Sequence, residues 1–78
     1  MPVVRYLEWF DPDTHELVDR VTLAVTLGEL QEIFGAKPED PMYDCWMVKP
    51  IHVEHLQVRV DRMIDLNRFA YFVSAERD

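Results

Sequence analysis

The run TLGELQEIFG, residues 26–35, is bounded at both ends by local chemistry and divides the chain around it. Thr26 followed three residues later by Glu29 is the capping-box pattern, in which two side chains satisfy orphan backbone donors at a helix start. Gly35 supplies a left-handed stop, and Pro38 lies where the helix is already over. Leu27, Leu30, Ile33 and Phe34 fall on one helical face. The expectation is a helix of about two turns whose apolar stripe must be covered by another element.

The segments on either side suggest what covers it. Residues 3–10, VVRYLEWF, are β-branched and aromatic and read as a strand. Residues 17–25, LVDRVTLAV, alternate, with Leu17, Val21, Leu23 and Val25 on one face and Arg20, Thr22 and Ala24 on the other. Asp19 interrupts the apolar face near its start, which places that end at the rim of a sheet. The connection contains Asp11-Pro12-Asp13, good turn chemistry because proline presets the backbone and aspartate bonds its own chain. Residues 3–25 therefore read as an antiparallel hairpin, with His15 where positive φ is often needed.

Downstream, MYDCWMV is either a short fourth strand or an irregular apolar segment. In IHVEHLQVRVDRMIDL, residues 51–66, Val53, Leu56, Val60, Met63 and Ile64 fit one helical stripe, although the β-branched residues weaken a helix. RFAYFVSA, residues 68–75, reads as a central strand, with Phe69, Tyr71 and Val73 opposite Ala70, Phe72 and Ser74. The expected fold is one α+β domain over residues 1–78. A small antiparallel sheet carries two helices packed on one face.

At 78 residues the core is small, so each large side chain in it counts. Apolar residues make up 49%, a globular composition rather than a disordered one. Cys45 is the single cysteine, so no internal disulfide staples the fold and no oxidising compartment is needed. MPVVRYLEWF lacks a basic segment followed by a long apolar run, and no stretch approaches the roughly 20 apolar residues of a membrane span. The expected location is the cytoplasm, without membrane association.

Net charge is −7 and unevenly placed. Residues 1–44 hold ten acids against Arg5, Arg20 and Lys37, whereas residues 45–78 balance five against five. Nucleic acid is excluded as a partner, because binding it requires Lys and Arg to neutralise phosphates. A basic protein would be steered toward such a field; simple solubility is the alternative use of the same charge.

No catalytic motif stands out. His52 and His55 share a spacing of three and Cys45 precedes them, but no cysteine pair or His-Glu-x-x-His cluster completes a zinc site. His52 reads as a helix-start residue and His55 as solvated. Asp44 beside Cys45 opposes thiolate formation, so Cys45 reads as a small buried hydrophobe. No cofactor or metal is expected, nor an enzyme.

What remains is PEDPMYDCW, residues 38–46, where a proline turn carries side chains that chains normally bury. Met42 and Trp46 can fill the gap between helix and sheet. Glu39, Asp40, Tyr43 and Asp44 can form an acidic, aromatic surface of the kind that anchors protein partners. Those four are the candidate partner-binding residues.

The run FDPDTHELV, with EIFG and PEDPMYDCW after it, resembles a family of short, acidic, uncharacterised bacterial single-domain proteins that look like immunity proteins of polymorphic or contact-dependent toxin systems. The resemblance covers roughly residues 6–48, and beyond that only the helix–strand outline is shared. His15 departs from the glycine expected in that hairpin. The resemblance implies a binding protein that occludes the basic active site of a toxin domain, and no site residue comes with it. The alternative expectation is a self-associating structural or regulatory module, a homodimer joined through a strand edge or the Trp9 face.

Overall fold

The structure, a computed structural model, describes residues 3–77. Four strands and two helices follow in the order β1 (Val3–Phe10), β2 (Leu17–Thr22), α1 (Leu27–Phe34), β3 (Trp46–Met47), α2 (Pro50–Gln57) and β4 (Ala70–Arg77). The sheet order is β2-β1-β4-β3, antiparallel throughout. β1 and β4 are the central pair, in register along their whole length from Val3↔Arg77 to Phe10↔Ala70.

Paired residues share a face of the sheet, so the register assigns both surfaces. Leu7, Trp9, Tyr71 and Val73 point to one side, where they are buried with Leu30 of α1 and Leu56 of α2. This is the expected α+β fold, with both helices on one face. Trp9 and Tyr71 meet at 5.5 Å. The opposite face carries Tyr6, Glu8 and Phe10 on β1 beside Ser74, Phe72 and Ala70 on β4, and neither helix contributes to it.

α1 has the boundaries read from its sequence. Thr26 accepts from the Glu29 N–H at 3.2 Å, and Glu29 accepts from the Thr26 N–H at 2.9 Å. Gly35 closes the helix at φ 67°. In the hairpin turn Asp11 accepts from the N–H groups of Asp13 and Thr14, and His15 takes the left-handed conformation at φ 64°.

Three expectations are corrected. β2 ends at Thr22 rather than Val25, and its register shifts opposite Trp9 and Phe10, so that Phe10 faces Leu17 while Trp9 faces Asp19. One extra residue, Val18, flips parity, because side chains alternate with a period of two. Leu17 therefore lies with Phe10 on the uncovered face, half exposed, instead of joining Val21 inside.

α2 stops at Gln57, seven residues short of Ile64, where the predicted stripe ends. The Gln57 side chain accepts from the Ile64 N–H at 2.9 Å and donates to the Arg62 carbonyl at 2.6 Å, stabilising an irregular return over 58–69. Tyr71 holds the same segment, its hydroxyl accepting from the Asp65 N–H at 3.1 Å. Ile64 is buried, whereas Met63 and Val58 face solvent. Cys45, expected inside, is exposed.

Candidate functional site

Residues 36–45 leave α1 and cross to the start of β3. The Gln31 side-chain amide donates to the carbonyls of Pro38 at 3.0 Å and Asp40 at 2.8 Å. Asp40 in turn accepts from the Met42 N–H at 2.8 Å, which stabilises the turn. Met42 adopts φ 52°, uncommon for a residue with a side chain, and is buried in the core.

The second restraint comes from the centre of the sheet. Arg5 of β1 is buried and donates through Nη1 to the Met42 carbonyl and through Nη2 to the Pro41 carbonyl at 2.9 Å. Burial pulls its pKa below the ordinary arginine value, and Tyr43, whose ring centroid lies 6.0 Å from the guanidinium carbon, opposes that. Among the described residues Arg5 makes no ion pair; backbone carbonyls solvate its charge. Its sequence, an arginine in a strand whose one other charged residue is Glu8, carries only a faint sign of this role.

Of the four candidate residues, Glu39, Tyr43 and Asp44 are exposed on the loop so held, and Asp40 is half-buried as its internal brace. The acids of the first part of the chain do not form one surface. Glu8, Asp19 and Glu29 are paired with Arg20, Arg62 and Arg59 at 3.4, 3.4 and 2.7 Å. Two of those arginines come from the half of the chain that carries no net charge. Asp11, Asp13 and Glu16 sit in the β1–β2 turn, beyond Phe10. The loop holding Glu39 and Asp44 packs at the Val3 end, through Arg5. Five steps of strand run from Arg5 to Phe10 between these two acidic ends, about 17 Å at roughly 3.4 Å per step.

Cys45 and His52 line one groove beside Phe34 and Trp46. His52 is buried, 4.2 Å from the Phe34 ring, and its Nδ1 accepts from the Lys49 N–H at 3.0 Å. No hydrogen bond joins it to Cys45 among the described residues. Nor, among those residues, does any group of three or more His, Cys, Asp or Glu side chains have the arrangement to hold a metal ion. His55 is exposed, as expected.

A family profile described as a domain of unknown function, DUF7683, matches residues 4–74. The chain belongs to this family. Comparison with curated proteins returns no match. The DUF7683 span takes in the Arg5 clamp, the 36–45 loop and both helices, reaching Ser74 in β4. No helix among the described residues of this DUF7683 chain is long and apolar enough to cross a membrane.

Several groups couple DUF7683 stability to pH, among them Asp11, which the Thr14 and Asp13 backbone N–H groups hold below the ordinary carboxylate range, and two further residues. Burial, reinforced by the charges of Lys49 and His55, holds His52 below its ordinary 6.5. The Arg59 hydrogen bond, followed by those from Thr26, lowers Glu29 to about 2. Both values are depressed by folding, so the unfolded chain takes up each proton first and stability falls with falling pH. Urea midpoints should be highest above pH 6.5, decline below it as His52 titrates, and decline again between 4.5 and about 2 as Glu29 does. His52→Gln retains an acceptor for the Lys49 N–H and should flatten the upper decline alone. An upper decline unchanged in that variant would rule out His52 as its cause.

Proposed function

We propose that this chain is an acidic protein-binding module of the immunity-protein type, which neutralises a toxin domain by covering its basic active site. The observation carrying this reading is the 36–45 loop, held from two sides by Gln31 and Arg5 and presenting Glu39, Tyr43 and Asp44 to solvent. A loop already ordered before contact loses little entropy on binding. Tyrosine beside carboxylates offers an anchor with flanking charge. The net charge of −7 favours a partner that is positive around its active site, such as an enzyme acting on phosphates. The motifs over roughly residues 6–48 resemble short, acidic, uncharacterised bacterial proteins that look like immunity proteins, and the reading draws on that likeness.

Co-expression with candidate basic toxin domains, each inhibitory to growth when expressed alone, tests the reading. The chain should restore growth and form a one-to-one complex. Its association rate should fall steeply as salt rises from about 0.01 M to about 1 M and the Debye length shrinks from about 30 to about 3 Å. A rate indifferent to salt would remove the electrostatic mechanism.

A second reading is favoured by the sheet edge. β2 is an edge strand with Leu17 and Val18 half exposed, a template for pairing with another copy. A stable dimer in sedimentation at micromolar concentration would support self-association over toxin binding.

A further inference from the structure

The uncovered face of the sheet ends in an apolar groove of about 350 Å³ at its hairpin end, lined by Phe10, Pro12, Met47, Ala70 and Phe72. Register explains how distant residues meet there. Phe10 pairs with both Leu17 and Ala70, while Phe72 pairs with Glu8 and Met47, so one diagonal of the sheet is apolar across all four strands. Phe10 and Phe72 stand edge to face at 5.7 Å and form the floor. Met47 is 56% exposed on one side. The volume lies at the low end of the roughly 300–1,000 Å³ range of ligand pockets, enough for one large side chain and little more.

Asp11 and His15 complete the lining, which places the β1–β2 turn at the mouth of the groove. That turn also carries Asp13 and Glu16, and among the described residues neither forms an ion pair. Of the arginines near this face, Arg20 is already engaged by Glu76 at 2.8 Å, by Glu8, and by the Tyr6 ring at 4.2 Å, and Arg68, two residues before Ala70, lies over the Phe69 ring at 5.3 Å. An apolar slot with unneutralised carboxylates beside it is complementary to an apolar side chain flanked by cations.

We infer that this groove is a docking site for a basic protein segment, which seats one aromatic or large aliphatic side chain between Phe72, Met47 and Phe10 and lays its Lys or Arg residues against Asp13 and Glu16. The groove draws on the same acidic surplus as the partner-binding reading above, and in that sense rests on it. It is nonetheless a separate surface, at the opposite end of β1 from the 36–45 loop. The two acidic ends would let one basic partner be held at two places.

The probe is a blocked Lys-Lys-Trp-Lys-Lys peptide titrated into the full chain by NMR, with Glu-Glu-Trp-Glu-Glu as its control. The lysine peptide should shift the Met47 and Ala70 methyls and the Phe10 and Phe72 rings, and the glutamate peptide should not. Met47→Lys places a like charge in an exposed position and should weaken the lysine peptide roughly fivefold or more. Asp13→Asn with Glu16→Gln should weaken it and flatten its salt dependence. Neither change removes a side chain from the core.

Shifts confined to residues 39–44 would overturn the groove while leaving a basic partner in place. Equal shifts from both peptides, no shifts, or shifts on concentrating the protein alone would overturn it as well, the last by assigning the face to a second copy. Failure of any toxin domain to form a complex, with the lysine peptide still seated, would sink the immunity reading alone.

Discussion

Replacing Met42 with alanine should cost about 2–5 kcal/mol of stability, the usual range for truncating a fully buried long side chain. Against about 4–12 kcal/mol expected for a chain of this length at roughly 0.05–0.15 kcal/mol per residue, such a loss approaches the whole. Met42 is 2% exposed and belongs to the cluster of Leu7, Leu30, Leu56 and Val73. It is the one residue of the 36–45 loop buried in that core, so its truncation removes core volume and the loop's anchor together.

A series separates side chain from backbone. Met42→Leu, conserving volume, should cost less than about 1.5 kcal/mol. Met42→Ile has similar volume but is β-branched, and at φ 52° a β-branched residue is strained, so it should be clearly worse than leucine. Urea midpoints followed by tryptophan fluorescence, at constant m, give the order. Alanine within about 0.5 kcal/mol of wild type, the range of an ordinary surface change, would show that the loop does not depend on this anchor.

Arg5→Met is the second large effect. The methionine fills the space of the arginine stem but leaves the Met42 and Pro41 carbonyls without their donors. A buried acceptor left unpaired costs about 1–3 kcal/mol. The Met42 carbonyl is the more severe case, since the Pro41 end of the clamp is only partly buried. The consequence extends past stability, because amide exchange across residues 38–45 should accelerate while that in β1 and β4 changes less. Partner affinity should fall as the loop must be ordered on binding. Arg5→Lys supplies a cation without the two-pronged fork and should recover only part of the loss. Full recovery with lysine would mean that charge alone, and not bidentate geometry, holds the loop.

β1, α1 and the β1–β2 turn were legible in the sequence because their causes are local. Residues that alternate over a few positions, Thr26 and Glu29 three apart, Gly35 at a helix end and Asp11 before a proline each act on neighbours in the chain. The candidate loop was legible as a loop, and its acids and Tyr43 as surface, for the same reason. The end of α2 was not, because Gln57 and Tyr71 stabilise the non-helical segment after it from 5 to 8 residues away in sequence. Cys45 was misplaced because its side depended on how the 36–45 loop enters β3: Trp46 pairs with Val73 and packs against the core, so Cys45, one residue before it, points outward.

From its own residues the chain determines an antiparallel α+β fold with a small core and a net charge of −7. Tertiary structure alone decided where that charge acts. Arg59 and Arg62 fold onto Glu29 and Asp19, and six of the other acids of residues 1–44 divide between the two ends of β1, with Glu8 paired to Arg20 and Glu32 exposed on α1. It also decided that Arg5 clamps a loop 36 residues away and that a one-residue bulge turns Leu17 outward. The physical reason is range: turns, caps and alternation are set within about one turn or one strand, whereas ion pairs, carbonyl clamps and strand register join residues whose separation in the chain says nothing about their distance in space.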